Sequence, residues 1–259
     1  MALVLEYNGS KFHGWQIQPG LPTIQGELEK ALTQIADHPV STVCAGRTDQ
    51  GVHARYQVVH FDTHAIRSEN TWLSGVNHFL PKDIAVHKAV IMPENFHARF
   101  MALNRSYEYW IDNRSIRPGL EHQKVTWIAR KLNPCLMQEA AQYLLGEHDF
   151  SAFRAAICQA KNSIRRIFDI QVIQKDHYII IKICANAFLH HMVRNIVGTL
   201  LPIGLGFKNP ETILDVLHSK KRKNAGKTML PDGLYLSSVV YPEEFQKKLG
   251  SILCQKMLI

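Results

Sequence analysis

The first third of the chain alternates between strand-like and helix-like hydrophobic periodicity, and this order restricts the possible folds more than any other feature. Strands are expected at residues 2–7, 41–45, 56–62 and 84–91. A helix is expected after Thr23, a typical N-cap residue, because apolar positions then recur at helical spacing, at Ile24, Leu28, Ala31, Leu32 and Ile35. A second helix is expected over residues 69–79. This order of elements is typical of a split β-α-β, ferredoxin-like unit.

The rest of the chain repeats this alternation less regularly. Strands are expected at residues 105–112, 123–128, 167–173, 178–185 and 234–240, and helices over 135–145 and after Pro210. A longer amphipathic helix has one apolar face, formed by Leu189, Met192, Val193, Ile196, Leu200 and Ile203. We therefore predict an α+β protein of two ferredoxin-like halves, residues 1–102 and 103–259, with a cleft between them.

The composition is that of a globular protein that needs no disulfides. The 259 residues are 46% hydrophobic and 20% charged, which is sufficient for a hydrophobic core. No apolar run approaches the roughly 18 residues that span a bilayer, and the first residues show no charged-then-apolar signal pattern, so we do not expect secretion. The cysteines are widely spaced and form no C-x-x-C pair, which favours reduced thiols and a cytoplasmic protein.

The histidines do not form a recognisable metal site. His60 and His64 are four residues apart, but their segment reads as a strand rather than as a ligand-bearing helix. The adjacent His190 and His191 point in different directions, and the sequence has no H-E-x-x-H motif or comparable ligand set. We therefore expect no catalytic metal.

The excess of positive charge indicates a polyanionic partner. The formal net charge is +8, and a basic surface speeds association with polyanions. The excess is clustered in two groups, Lys161, Arg165 and Arg166 and then Lys220, Lys221, Arg222, Lys223 and Lys227. Such runs are often only solvated surface, but two of them, together with arginines near glycines, favour a nucleic acid.

The segment Cys44–Ala54 (C-A-G-R-T-D-Q-G-V-H-A) contains the first candidate for chemistry. Asp49 lies between two glycines and two residues after Arg47. Glycines allow a tight turn and the close approach of another chain or a ligand, and an arginine can bind phosphate or carboxylate bidentately. Asp49 is therefore a candidate nucleophile or base, although an aspartate in such a loop often only caps a turn.

Two further candidates come from a strand and a helix. Tyr107 and Tyr109 share one face of the strand at residues 105–112, where they could pack the sheet or offer a ring on which a base stacks. Arg194 lies on the flank of the apolar face of the long helix. It could extend its head to water, or it could pair with a buried acid and keep that acid ionised.

A fourth candidate is the segment His148–Arg154 (H-D-F-S-A-F-R), which Lys161 follows. Its mixture of aromatic, hydroxyl and basic side chains suits contact with a phosphate backbone, with Arg154 and Lys161 as substrate-binding residues. Phe150 and Phe153 could equally anchor the loop in the core.

Together and in this order, the motifs resemble the bacterial tRNA pseudouridine synthase A family. The matching patterns are G-R-T-D-x-G-V-H-A, R-x-Y-x-Y, H-D-F-S-x-F-R, F-L-x-H-M-V-R-N-I-V-G and the terminal G-L-Y-L. The resemblance implies two ferredoxin-like halves that build one extended antiparallel sheet, helices on one face, a basic active-site cleft and a homodimer. It implies that the substrate is uridine at positions 38–40 of the tRNA anticodon arm.

The resemblance also implies roles for single residues. Asp49 would be the catalytic nucleophile, Tyr107 would stack on the target uracil and could act as the base, and Arg194 would pair with the Asp49 carboxylate. Leu234 would line the base pocket, and Arg47 would help to hold the flipped uridine. Two departures from the family pattern affect the surroundings: Gln50 replaces a common alanine, and residues 228–232 replace a run of small residues.

Pseudouridine formation exchanges a C–N for a C–C glycosidic bond without net oxidation, so we expect no cofactor. An ionised Asp49 could attack C1′, add to C6, or assist deprotonation toward a glycal, and the sequence leaves these routes open. Three other functions are compatible with parts of the pattern. They are an RNA-binding module without catalysis, a hydrolase that uses Asp49 with His53, and a purely structural ferredoxin-like protein.

Overall fold

The computed structural model describes residues 1–156, 158, 160 and 162–250. It is a mixed α/β structure with a large, mostly antiparallel sheet, as the sequence predicts. The chain divides into two compact units, Met1–Arg105 with Leu236–Ile259, and Ser106–Tyr235. The C-terminal segment therefore belongs with the N-terminal residues, an association that no local sequence pattern indicates. Among the described residues, no helix has the length and apolar character that crossing a membrane requires.

The first unit begins with strands and helices in the predicted order. They are β1 (Ala2–Tyr7), α1 (Ile24–Ala36), β2 (Thr42–Cys44), β3 (His53–Phe61), α2 (Glu69–Phe79) and β4 (Ile84–Val90). β1 pairs antiparallel with β3 on one side and with β4 on the other, and β2 pairs antiparallel with the end of β3. The predictions for β1 and α2 are confirmed, whereas β3 begins three residues earlier than expected.

Helix α1 begins at a capped residue and packs through the apolar face that its sequence predicts. The Thr23 hydroxyl accepts a hydrogen bond from the Gly26 N–H at 3.2 Å, which caps the first turn. The apolar face of the helix is buried, with Ile24, Leu28 and Leu32 fully inaccessible. Gly75 in α2 allows the two helices to approach closely, because a Cβ there would lie 2.5 Å from Ile35 Cδ1.

The second unit continues the chain with longer strands. Its elements are β5 (Asn104–Asp112), β6 (Thr126–Trp127), α3 (Pro134–Gln142), β7 (Gly146–Asp149), β8 (Ile164–Lys175), β9 (Tyr178–Ala185), α4 (Met192–Gly204) and α5 (Thr212–Ser219). β8 and β9 form an antiparallel hairpin, β7 pairs antiparallel with β8, and β6 pairs parallel with β5. β10 (Leu234–Val240) then leads into the first unit, where α6 (Glu243–Leu249) follows.

Three local features differ from the sequence predictions. The strand expected over 123–128 has only two residues, Thr126 and Trp127. Helix α4 begins at Met192, because His191 has a left-handed backbone with φ +61°. Leu189, which was predicted on the helix face, therefore lies before the helix, although its side chain is still buried. β7 was not predicted, because its sequence Gly-Glu-His-Asp has no apolar alternation.

Candidate active site

Asp49 lies in the loop between β2 and β3, hereafter the Asp49 loop (residues 45–52). The Asp49 side chain is half-buried, while Thr48 before it is buried and Gln50 after it is exposed. A tight turn follows, in which Gly51 has φ +77° and the Val52 N–H donates to the Asp49 carbonyl at 3.1 Å. The predicted Gly-flanked turn is confirmed, and Asp49 stands at its start.

Side chains from distant parts of the first unit hold the first part of this loop. The buried Gln57 of β3 pairs with both backbone groups of Gly46: Nε2 donates to the carbonyl at 2.6 Å, and Oε1 accepts from the N–H at 3.3 Å. The Arg105 guanidinium donates from Nε and Nη2 to the Ala45 carbonyl, at 3.2 and 3.0 Å. The start of the loop is therefore fixed on two sides.

Thr48, which precedes Asp49, is held through both its side chain and its backbone. The Tyr7 hydroxyl lies 2.8 Å from Thr48 Oγ1, and the Trp15 N–H donates to the Thr48 carbonyl at 2.9 Å. Because Gln57 Nε2 also reaches the Tyr7 hydroxyl, at 3.4 Å, one buried polar network extends from Gly46 to Thr48. A satisfied buried network of this kind makes the backbone rigid.

Two glycines let a neighbouring segment pack directly against the loop backbone. A Cβ on Gly14, which has φ +86°, would lie 2.7 Å from the Thr48 carbonyl oxygen and 3.0 Å from the Asp49 carbonyl carbon. A Cβ on Gly9 would lie 2.0 Å from the Val52 carbonyl oxygen. The loop backbone is thus in close contact with the backbone at Gly9 and Gly14 as well, and Asp49 is presented by a rigid frame.

His53 has a structural position at the end of this loop. It is buried, and its Nδ1 accepts a hydrogen bond from the Gly9 N–H at 3.1 Å. Nδ1 therefore carries no proton in this arrangement, and it is occupied by the backbone. This geometry counts against His53 as the water-activating base of a hydrolase, since that role would leave Gly9 unpaired.

In the second unit, the two tyrosines of β5 have different surroundings. Tyr107 is buried, and its ring packs edge-on against Phe188 with centroids 4.8 Å apart. The Tyr109 hydroxyl lies 2.6 Å from Thr126 Oγ1 and donates to the Leu230 carbonyl at 2.8 Å. Burial raises the pKa of Tyr109 above its ordinary value. Tyr109 therefore acts as a neutral anchor for the segment before β10.

Arg194 lies in the first turn of α4 and is half-buried. Its Nε donates to the Met229 carbonyl at 2.6 Å, while the Met229 N–H donates to the Arg194 carbonyl at 3.3 Å. This reciprocal pair fixes the direction in which the guanidinium leaves the helix. Leu234 is buried at the start of β10, and the preceding Gly233 accepts from the Trp110 N–H of β5 at 2.8 Å.

The remaining predicted binding residues differ in position. Arg47 is exposed in the Asp49 loop. Arg154 donates from Nη2 to the Cys158 carbonyl at 2.9 Å and from Nη1 to Ser163 Oγ at 3.3 Å, so that it stabilises its own loop. Lys161 lies outside the described residues. The structure thus places Arg47 and Asp49 in the first unit, and Tyr107, Arg154, Arg194 and Leu234 in the second.

One cluster in the second unit has metal-ligand residue types, namely Asp112, Glu121 and His177. Arg114 already occupies it, because its Nε donates to both Asp112 carboxylate oxygens at 3.0 and 3.1 Å. Burial tends to raise the pKa of Asp112, but the hydrogen bonds and charge of Arg114 lower it overall. We interpret this cluster as an ion-pair network that fixes the end of β5.

Comparison with known proteins gives a consistent result over almost the whole chain. The family model described as tRNA pseudouridine synthase matches residues 3–101 and 140–242. The tRNA pseudouridine synthase A of Coxiella burnetii (strain Dugway 5J108-111) is 49% identical over 95% of this chain and 94% of its own. This chain belongs to the tRNA pseudouridine synthase A family. The enzyme of the same name from Legionella pneumophila (strain Lens) is 51% identical over the same shares.

The predicted family membership is thereby confirmed, and isomerisation of uridine is the reaction of this synthase family. A solved H/ACA ribonucleoprotein bound to a substrate RNA containing 2′-deoxyuridine aligns with 87% of this chain and 59% of its own. Its TM-score is 0.34 with 11% identity.

Several residues that hold the Asp49 loop were not found from the sequence. Gln57, Tyr7, Trp15 and Arg105 all contact the Asp49 loop from elsewhere in the chain. A signal exists only for Gln57, which is a polar residue within the otherwise apolar middle of β3. The others are ordinary strand and loop residues by composition, and their partners become visible only in the fold.

Replacing Gln57 by leucine is expected to destabilise the synthase and slow it. The change leaves the half-buried Gly46 N–H and carbonyl without the Gln57 amide, which costs about 1–3 kcal/mol, and it loosens the loop that presents Asp49. Urea unfolding and the rate of pseudouridine formation, measured well below the melting temperature, would show both effects. The control is Gln174→Leu on the exposed part of β8. Equal effects of the two changes would contradict the prediction.

Proposed function

We propose that this protein converts uridine to pseudouridine at positions 38–40 of the tRNA anticodon arm, with Asp49 as the catalytic nucleophile. The observation that carries the proposal is the Asp49 loop itself. Backbone and side chains from β1, β3 and the segments at Gly9–Trp15 and Arg105 all hold it, so that one half-buried carboxylate is fixed in place. Such preorganisation is what an attacking group requires.

An ionised Asp49 is needed for each of the three chemical routes. We propose that the Arg194 guanidinium pairs with this carboxylate in the working enzyme, because a neighbouring cation lowers the pKa of a carboxyl group. The Met229 carbonyl holds Arg194 Nε at 2.6 Å, which supports the proposal, since a fixed guanidinium loses little conformational freedom when it forms a pair.

The target uracil is proposed to bind against Tyr107 and Leu234. The buried Tyr107 and Leu234 and the half-buried ring of Phe188 supply apolar surface in the second unit, and a flipped base is held by stacking and edge contacts. Tyr107 is proposed to be the base that removes the C5 proton at the final step, with its own hydroxyl proton first released to solvent. Arg47, Arg154 and Lys161 are proposed to contact the RNA, where cations on flanking phosphates offset the cost of unstacking.

Replacing Tyr107 by phenylalanine is expected to separate the stacking role of its ring from the role of its hydroxyl in removing the C5 proton. The ring is kept, so that tRNA binding should change little, while loss of the hydroxyl should slow C5 deprotonation by about 100-fold or more. Single-turnover rates and tRNA dissociation constants would test this. The control is Tyr235→Phe, which removes a different strand hydroxyl, one that donates to the Lys124 carbonyl. A wild-type rate for Tyr107→Phe would assign Tyr107 to stacking alone.

The proposed architecture follows the family. We propose two ferredoxin-like halves, residues 1–102 and 103–259, with a basic active-site cleft, a homodimer and a cytoplasmic location. The element order β1-α1-β2-β3-α2-β4 and the pairing of β1 between β3 and β4 support the assignment for the first half.

The experiment that tests the function is tritium release from tRNA labelled at C5 of uridine. The wild type is expected to release tritium from a tRNA with uridine at positions 38–40, and to release none when those positions carry cytidine. Release of tritium from both tRNAs would contradict the proposed modification at positions 38–40. Binding without any release would favour the alternative of an RNA-binding module without catalysis.

A further inference from the structure

The basic run Lys220–Lys223 contains one residue that differs from its neighbours. Lys221 and Lys223 are exposed, and Lys220 pairs with Asp149 at 3.2 Å. The Arg222 side chain instead turns inward and donates four hydrogen bonds within the second unit, to the Ala225 and Gly226 carbonyls, Asn195 Oδ1 and Thr228 Oγ1. The Arg222 guanidinium is thus hydrogen-bonded to acceptors within the second unit.

The acceptor at the centre of these contacts is Asn195 of α4, which follows Arg194 in sequence. Asn195 is fully buried, and its Oδ1 accepts from Arg222 Nη2 at 3.0 Å and from Thr228 Oγ1 at 2.7 Å. Its Nδ2 donates to the Phe153 carbonyl at 2.7 Å. Three of the four hydrogen-bonding positions of this buried amide are thereby filled, namely both lone pairs of Oδ1 and one N–H of Nδ2, as a positioning residue requires.

The segment that Arg222 holds, residues 225–229, also interlocks with α4 through two glycines. A Cβ on Gly198 would lie 1.8 Å from the Lys227 carbonyl oxygen, and a Cβ on Gly226 would lie 2.0 Å from the Gly198 carbonyl oxygen. The Gly226 N–H donates to Thr199 Oγ1 at 2.9 Å. The segment therefore has little freedom to slide along the helix.

The end of this segment is Met229, whose carbonyl accepts from Arg194 Nε at 2.6 Å. A continuous path leads from the Arg222 guanidinium through Thr228 to Met229 and from there to Arg194. We infer that Arg222 is a positioning residue that sets the orientation of Arg194, and that it is not an RNA-phosphate contact. The inference rests on the proposed catalytic role of Arg194, and it assigns phosphate binding to the exposed Lys221 and Lys223.

The test compares two changes within the same run. Arg222→Lys keeps the charge but cannot reproduce the fork of hydrogen bonds, so that the single-turnover rate should fall about 10- to 100-fold. The tRNA dissociation constant and its salt dependence should not change. Lys221→Gln with Lys223→Gln removes two cations and should weaken binding, with a slope of log K against log salt that is smaller by about one to two. Weaker binding with a flatter salt slope in Arg222→Lys would overturn the inference.

Thr228→Val breaks the same path without altering charge, and it should reproduce the loss in rate, while Thr228→Ser should restore it. The decisive measurement is a double-mutant cycle, since Arg222→Lys should have little further effect in an Arg194→Lys background if it acts through Arg194. Additive losses at equal melting temperatures would overturn the inference. If the wild type releases no tritium, the proposed function fails instead, and the binding measurements still decide whether Arg222 contacts RNA.

Discussion

Asp49→Asn is expected to reduce pseudouridine formation by at least about a thousandfold, because asparagine cannot act as the nucleophile that we propose Asp49 to be. Asparagine has nearly the same size and fits the same half-buried position, so that the Asp49 loop should keep its hydrogen bonds from Tyr7, Trp15 and Gln57. The tRNA dissociation constant should stay close to that of the wild type. Tritium release and filter binding, measured on the same preparation, would separate chemistry from binding.

The control for this change is Asp176→Asn. Asp176 lies in the β8–β9 turn with φ +53°, a conformation that asparagine adopts equally well. This variant should retain full activity and stability. If Asp49→Asn were as active as Asp176→Asn, Asp49 would be a turn residue, and the nucleophile would have to be sought elsewhere.

Gly14→Ala is expected to reduce the rate by about 100-fold with the fold retained. The new Cβ would lie 2.7 Å from the Thr48 carbonyl oxygen and 3.0 Å from the Asp49 carbonyl carbon, so that the loop backbone must move. A displacement of about 1 Å at a reacting group is sufficient for a rate loss of this size. Single-turnover kinetics and thermal unfolding would measure the two consequences separately.

Gly20→Ala provides a matched control. Gly20 also has a positive φ, +73°, but a Cβ there would meet no atom within 4 Å. Both variants therefore carry the strain of alanine in a left-handed conformation, about 1–2 kcal/mol, and only Gly14→Ala also displaces the Asp49 loop. If the two variants lost the same activity, backbone strain alone would explain the result, and the contact with Asp49 would be irrelevant.

The sequence predicts those parts of the fold that local signals determine. The Thr23 cap, the apolar face of α1 and the Gly-flanked turn at Asp49 depend on residues close together in the chain, and the structure has them where they are predicted. The short strand β7 was missed, because no apolar alternation marks it. The grouping of the C-terminal segment with the first unit depends on contacts across more than a hundred residues.

The same distinction applies to the candidate site. Residue type identified Asp49 and the β5 tyrosines as candidates. It could not show how the two tyrosines differ: the Tyr109 hydroxyl contacts Thr126 and the Leu230 carbonyl, whereas Tyr107 packs against Phe188. Charge identified the run at Lys220–Lys223, but the direction of each side chain depends on the fold. In the sequence, Arg222 and its lysine neighbours are simply adjacent cations, and no pattern shows which of them faces inward.

The contacts that hold the Asp49 loop limit how far it can move when substrate binds. Its contacts come from β1, from β3 and from the glycines at positions 9 and 14, so that the loop cannot open unless the paired strands separate. Its amide protons should therefore exchange at rates set by unfolding of the whole unit. A loop of this kind cannot serve as a lid. Under the proposed role of Asp49, the deformation that brings uridine and carboxylate together then occurs in the RNA, whose stacked base has to leave its neighbours.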